Sequence, residues 1–229
     1  MLILAIDTSG QSGGITLAEA EKSFRAIESV PIAGGTFSAQ LIPTVAALLS
    51  KHGYRAADIG GFAAASGPGS FTGLRVGLSA IKGLAETLHK PIATVSVLEA
   101  MAAQADGTGR IAAALDAGRK EVFFGVYDSA HGKNSHELHK LREEMLSQSD
   151  FAAAIAKESP ALVITSEAAI AELASASHVE VKQVQRPGSE TIAQIGARKL
   201  FAGETVAVEA LDANYLRRSD AEIFFKGTR

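Results

Sequence analysis

The sequence contains no cysteine, which excludes disulfide bonds, thiolate catalysis and metal sites built on cysteine. It also lacks a strong charge of one sign, because 22 Lys and Arg against 25 Asp and Glu leave a formal net charge of −3. There is thus no global basic field to hold nucleic acid, and any action on RNA would depend on a partner with a basic surface. No apolar run reaches the roughly 18 residues that a membrane span requires.

The N-terminal stretch "MLILAIDTSG" has no basic region, and its apolar run is broken at Asp7. This pattern predicts a β-strand and not a signal peptide. With 229 residues and 47% hydrophobic residues, the chain is typical of a soluble protein with one large domain or two small ones. We therefore expect a cytoplasmic location.

Two segments of the chain resemble each other: LILAIDTSGQSGGITLAE (2–19) and RIAAALDAGRKEVFFGVYD (110–128). Each reads as an apolar strand that ends near an aspartate, Asp7 or Asp116, followed by a turn and a second strand. One interpretation is that each aspartate accepts hydrogen bonds from its own turn. The other is that two duplicated lobes each present one carboxylate to a cleft that holds a metal–nucleotide complex.

Strands alternate with helices along the rest of the chain, which predicts an α/β fold. The polar stretch "DGTG" (106–109) separates the two repeats. We expect an N-terminal lobe over residues 1–105 and a C-terminal lobe over 106–229, with the option that the C-terminal segment packs back on the first lobe.

A glycine-rich loop lies in "ASGPGSFTGLRVGLSAIKGLA" (65–85), ahead of a helix predicted over Leu74–His89. Such a loop can present backbone N–H groups to an anion, but it is not a P-loop, since Leu74 and not lysine follows Gly73. A turn required only by the backbone conformation is the other interpretation. The candidate contacts for an anion or a nucleotide are Asp7, Ser9, Gly67, Gly69, Ser70, Thr72, Asp116 and Arg119.

Two further motifs favour structural interpretations. Ser12 lies in Gly-x-Ser-x-Gly, the spacing of a hydrolase nucleophile, but a strand-like segment follows it where the nucleophile elbow requires a helix. We expect Ser12 at a hairpin tip. His131, His136 and His139 cluster in a polar segment, where the last two could share a helix face; a solvated surface explains them better than a metal site.

Two predicted helices offer a stronger signal. The first, in FSAQLIPTVAALLSKHG, has Ser38 as its expected N-cap and Gly53 as its expected C-cap, and it is apolar nearly all round, so it must be covered on two sides. The second carries Gly73, Gly77 and Gly83, each costing about 1 kcal/mol relative to alanine. This cost is typical of close backbone approach, either to the chain's own sheet or to a helix of another subunit.

The segments "ILAIDTS", "GPGSFTGLRVGLSAIKGLA", "VSVLEAMA", "LDAGRKEVFFGVYD" and "ANYLRR" (213–218) occur in the order typical of the bacterial TsaB (YeaZ) family. The resemblance spans nearly the whole chain. It implies a duplicated fold of the actin-like, Hsp70-like, sugar-kinase-like (ASKHA) type. It also implies a cytoplasmic, non-catalytic subunit that works with a catalytic TsaD-type subunit and a TsaE-type ATPase. That complex installs N6-threonylcarbamoyladenosine at position 37 of tRNA, so tRNA would be reached through the complex.

The resemblance further implies that the metal chemistry of the catalytic homologue is lost. Its histidine pair aligns with Val97 and Met101, neither of which ligates a catalytic cation, and its late active-site segments are expected to be missing after "NYLRR". ATP or ADP remains a candidate ligand, in the cleft or at the complex interface. An active phosphotransferase and a metallopeptidase remain alternatives; little room for substrate-binding insertions argues against the former, and no recognisable ligand set against the latter.

The family's contact surface, used both for homodimers and for the catalytic partner, is implied to lie on the two helices. The residues that the resemblance assigns to this interface are Leu41, Val45, Leu48, Leu74, Gly77, Leu78 and Ile81. On this expectation, Leu78→Glu or Ile81→Glu would abolish association and leave the monomer folded.

Overall fold

A computed structural model describes residues 1–106, 108–132, 135–214 and 216, without the side chains of 130–132 and 135–137. The chain divides into two compact units. The first contains Met1–Ala100 and Arg186–Ala213, and the second contains Met101–Gln185 and the segment from Asn214. The first unit thus consists of two separate parts of the sequence.

Five strands and three helices come first in the chain. They are β1 (Leu2–Asp7), β2 (Ser12–Ala20), β3 (Phe24–Ala33), α1 (Phe37–Lys51), β4 (Ile59–Gly67), α2 (Phe71–Leu88), β5 (Ile92–Ser96) and α3 (Val97–Ala102), with a 3-10 turn at Ala56–Asp58. Then follow β6 (Gly109–Gly118), β7 (Glu121–Gly132), β8 (Ser135–Ser147), α4 (Gln148–Glu158), β9 (Leu162–Thr165), α5 (Ala168–Ser175), β10 (Val181–Gln183) and α6 (Ser189–Ala202).

The two sheets have the same topology. The first has the strand order β3-β2-β1-β4-β5 and the second β8-β7-β6-β9-β10. In both, the first three strands in sequence are antiparallel and the remaining two add in parallel. This repetition confirms the expected duplicated α/β fold.

Helices cover both faces of the first sheet. On one face, Leu4 and Ile6 of β1 share a hydrophobic cluster with Leu41 of α1 and Leu74 of α2. Because successive strand residues point to opposite faces, the other face is left for α6, which contacts β1, β2, β4 and β5. A sheet covered on both sides explains why all six residues of β1 are buried.

The helix ends differ slightly from the expectation. The N-cap of α1 is Thr36 and not Ser38, because Phe37 is already helical and buried. Gly53 follows the C-cap His52 with φ at +73°, so the expected stop is one residue beyond the cap itself. Helix α2 begins before Leu74, since Ser70 caps it by accepting a hydrogen bond from the Gly73 amide.

The sequence analysis did not predict strands β3 and β8. Both lie at a sheet edge, where one side of the strand stays polar and the apolar alternation is weak. Strand β8 covers the backbone of His136 and His139, so the expectation of a shared helix face was wrong. The side chains of His131 and His136 lie outside those that the structure describes.

The second unit has its own core. Phe124 of β7 meets Phe151 of α4 edge to face, with ring centroids 5.5 Å apart and an interplanar angle of 81°. Val163 of β9 and Ile170 of α5 belong to the same buried cluster. Among the described residues, no helix of either unit is long and apolar enough to span a membrane.

Candidate functional site

The glycine-rich loop packs against the turn between β1 and β2. The Ser70 amide donates to the Ser9 carbonyl oxygen at 2.7 Å. A Cβ on Gly69 would lie 2.2 Å from that same oxygen, and one on Gly73 would lie 2.1 Å from the Thr8 carbonyl oxygen. Real Cβ atoms do not approach backbone so closely, so these glycines allow the contact between loop and turn.

A cavity of about 470 Å³ opens beside this loop. It is lined by Gly10, Gln11, Gly34, Gly35, Phe37, Ser38, Ser70, Thr72, Gly73 and Val76. None of these residues is charged, so a phosphate here would rely on hydroxyls and backbone N–H groups alone. Ser70 and Thr72, two of the candidate anion contacts, both line this cavity.

Asp7, the last residue of β1, is a buried titratable group with 4% of its surface exposed. Its Oδ1 accepts a hydrogen bond from the Ser9 amide at 2.8 Å. Burial raises the pKa of the Asp7 carboxyl above its ordinary value, and the hydrogen bonds from Ser9 and the charge of Arg186 only partly oppose this effect. The ionised carboxylate is therefore held at a cost to stability.

Arg186 is a residue of this site that the sequence did not indicate. Its Nη2 lies 3.4 Å from the Ser9 hydroxyl and 3.5 Å from the carbonyl oxygens of Ser9 and Pro68. It enters from the second part of the first unit, just before α6. No local pattern marks such a residue, because its position depends on long-range packing.

We expect Asp7→Asn to raise the free energy of unfolding at pH 7 by about 1 kcal/mol, the usual scale of a single substitution. Between the ordinary carboxyl pKa and the raised one, the folded wild type binds more protons than the unfolded chain. Its stability therefore falls as pH rises through this interval, and the loss persists above it. The asparagine still accepts from the Ser9 amide but carries no charge.

Urea unfolding of both proteins at pH 7 and at stepwise lower pH checks this prediction. The advantage of the variant should shrink as the pH falls through the raised pKa. An Asp7→Asn protein that is less stable than wild type at pH 7 would contradict it.

Asp116 repeats the local geometry of Asp7 in the second unit. Its Oδ1 accepts from the Gly118 amide at 2.8 Å, two residues further on, which is the bond expected of an aspartate in its own turn. Unlike Asp7, Asp116 is exposed. Arg119 follows at the exposed hairpin tip with φ at +56°. Asp7 and Asp116 lie in different units.

The other sequence motifs fall as follows. Ser12 is the exposed first residue of β2 and a strand follows it, so the geometry of a nucleophile elbow is not formed. Val97 and Met101 lie on α3 and are 1% and 0% exposed. Within the described part of the chain, no three His, Asp or Glu side chains are grouped to hold a metal ion.

The residues expected at the partner interface are all buried in the first unit. The six with apolar side chains have exposed fractions of 0–6%: Leu41, Val45, Leu48, Leu74, Leu78 and Ile81. Gly77 is buried too, and a Cβ on it would lie 2.3 Å from the Thr8 hydroxyl oxygen. These side chains form the unit's own core, so a glutamate at 78 or 81 would enter that core.

A different side of α1 reaches the surface. Ala39, Ile42, Pro43 and Ala46 are exposed at helical spacing, and we call them the outer α1 stripe. The Ile42 residue is 50% exposed. In the single chain α1 is therefore covered on one side only, by the core, whereas the side that carries the outer α1 stripe is open and the expected second cover is not seen among the described residues.

Comparison with known proteins gives a consistent set of relatives. Residues 31–212 match the family model described as TsaD, tRNA N6-adenosine threonylcarbamoyltransferase. The chain is 30% identical to the tRNA threonylcarbamoyladenosine biosynthesis protein TsaB of Escherichia coli, over 96% of both chains. It is 36% identical to the protein of the same name from Bacillus subtilis, over 58% of this chain and 57% of that protein.

A solved structure shows the same architecture. YeaZ from Pseudomonas aeruginosa matches with a TM-score of 0.73 and 26% identity, over 93% of this chain and all of that chain. A second structure, described as an uncharacterized protein with similarity to peptidase YEAZ from Pseudomonas aeruginosa, matches with a TM-score of 0.75 and 27% identity, covering 94% of this chain and 99% of that one.

Proposed function

The chain belongs to the TsaB (YeaZ) family, and we propose that it is a non-catalytic subunit in the biosynthesis of N6-threonylcarbamoyladenosine in tRNA. In this proposal it binds and activates a TsaD-type catalytic subunit in the cytoplasm, together with a TsaE-type ATPase, and reaches tRNA through that complex. Support comes from relatives in Escherichia coli and Bacillus subtilis whose names state a role in this biosynthesis.

One observation carries the non-catalytic part of the proposal. Val97 and Met101 occupy the positions that the family resemblance assigns to the metal-binding histidines of the catalytic homologue. Both side chains are buried on α3, where they serve packing, and neither offers a donor suited to a catalytic cation. An intact scaffold without those ligands favours a subunit that acts through a partner.

The outer α1 stripe is the surface that we propose for the catalytic subunit. Its apolar residues are exposed in the single chain, although a helix with two apolar sides gains stability when both are covered. The same stripe would serve self-association, so that homodimer and heterodimer exclude each other. The proposed interface thereby stays on α1, one of the two helices that the resemblance implies, with the exposed side in place of the buried one.

A reconstituted modification assay tests the proposal. The catalytic subunit, the ATPase, threonylcarbamoyl-adenylate and unmodified tRNA are mixed with and without this chain, and modified adenosine is counted. We expect modification only when the chain is present. Equal modification without the chain would contradict the proposal, and ATP turnover by the chain alone would then favour a phosphotransferase.

Ile42→Glu tests the surface. We expect at least about tenfold weaker binding of the catalytic subunit and a shift of any dimer to monomer in light scattering, because a charge then lies in an apolar contact. Phe201→Glu is the matched control, since Phe201 is 57% exposed on α6 of the same unit but outside the stripe. Equal binding by wild type and Ile42→Glu would place the interface elsewhere.

A further inference from the structure

A second cavity of the first unit, of about 250 Å³, lies at the N-terminus of α6. Its lining includes three charged side chains, unlike that of the cavity beside the glycine loop. The residues around it are Asp7, Ser12, Gly13, Gly14, Ser29, Val30, Pro31, Arg186, Pro187, Gly188, Ser189 and Glu190. Ligand sites for drug-sized molecules are roughly 300–1,000 Å³, so this one suits a smaller molecule.

Groups of both charges face this cavity. Asp7 contributes a buried carboxylate, and Glu190 adds another in the first turn of α6. Arg186 contributes the positive charge, and its Nε is buried without a hydrogen-bond partner among the described residues. The N-cap of α6, Gly188, provides no side-chain cap, so the positive end of the helix dipole is also available to a ligand.

A chain of hydroxyl groups fixes the cavity wall. The Thr16 Oγ1 lies 2.8 Å from the Ser189 Oγ and 2.9 Å from the Ser29 Oγ. Ser29 in turn donates to Glu190 at 3.3 Å. A Cβ on Gly14 would lie 2.9 Å from the Ser189 Oγ, so α6 sits tightly on β2. These contacts hold the N-terminus of α6 in place before any ligand arrives.

The arrangement of charge selects the ligand. A simple anion would be repelled by Asp7 and Glu190, and a simple cation by Arg186 and the helix N-terminus. A molecule with both charges satisfies both sets. We propose that this cavity binds a small amino acid as a zwitterion, with its carboxylate at Arg186 and the α6 N-terminus and its ammonium group at Asp7. The site is independent of the proposed role in tRNA modification.

Titration of the isotope-labelled full-length chain with L-alanine, followed by amide NMR shifts, tests the proposal. We expect saturable shifts at Gly13, Gly14 and Ser189. N-acetyl-L-alanine lacks the ammonium group and L-alaninamide lacks the carboxylate, and each should bind at least about tenfold more weakly. Equal binding of either analogue would reduce the site to a simple anion or cation site, and saturable shifts with none of the three probes would refute a site.

Two variants locate the binding. Asp7→Asn and Arg186→Gln should each weaken L-alanine binding about tenfold or more. Arg25→Gln is the matched control, because Arg25 lies in an exposed pair with Glu19 away from the cavity and should leave binding unchanged. Preserved NMR dispersion shows that each variant is folded. Wild-type affinity in both cavity variants would overturn the assignment, and the analogues test it even if one variant fails to fold.

Discussion

Gly73→Ala or Gly77→Ala will destabilise the first unit by about 1–3 kcal/mol or more, as expected of overpacking. The new Cβ would lie 2.1 Å from the Thr8 carbonyl oxygen in the first variant and 2.3 Å from the Thr8 hydroxyl oxygen in the second. Helix α2 would have to move away from the β1–β2 turn, and that movement would disturb the capped loop at its N-terminus. The change at Gly73 should be the more severe because it meets backbone.

Gly83→Ala is the internal control for this prediction. Gly83 lies in the same helix, is exposed, and a Cβ there meets nothing within 4 Å. This substitution should stabilise the chain by about 0.5–1 kcal/mol, the intrinsic advantage of alanine over glycine in a helix. Urea unfolding of the three variants gives the comparison. Equal stabilities for Gly73→Ala and Gly83→Ala would show that α2 does not approach the turn as closely as described.

Ile81→Glu will unfold the first unit. Ile81 is 0% exposed within the cluster that joins α1 and α2 to the sheet. An unpaired charge buried there costs at least about 3–5 kcal/mol, a large share of the 5–15 kcal/mol that stabilises a typical domain. Thermal unfolding followed by circular dichroism will show a loss of structure. We therefore expect unfolding, in place of the expectation from the sequence alone that Ile81→Glu stays folded and loses only its partner.

Ile42→Glu, on the neighbouring helix α1, separates a loss of association from a loss of stability. Ile42 is 50% exposed, so its substitution should change the free energy of unfolding by no more than about 0.5 kcal/mol. A folded Ile81→Glu protein with a wild-type melting curve would contradict the assigned core. Loss of association in Ile42→Glu without loss of stability is the signature of a surface contact.

Some functional features could be predicted from the sequence, and others depend on contacts between distant segments. The sequence alone showed that Gly73–Leu74 lacks the P-loop spacing and that a strand follows Ser12. Both features depend on adjacent residues. The sequence also predicted close backbone approach at the glycines of α2; the structure shows it at Gly73, whereas Gly77 meets the Thr8 side chain and Gly83 meets nothing within 4 Å. The sequence could not identify the chain's own turn as the backbone approached, since nothing local connects Thr8 with Gly73.

The sequence by itself determined the repeated strand–turn–strand plan around Asp7 and Asp116, most helices, and the absence of cysteine chemistry. These features follow from short-range periodicity and composition. Only the tertiary structure decided that α6 packs on the first sheet and that Arg186 lies beside Asp7. It also decided that Leu41 faces inward while Ile42 faces outward. The physical reason is that an apolar pattern specifies which residues can be buried, whereas the packing of distant segments selects which of them are.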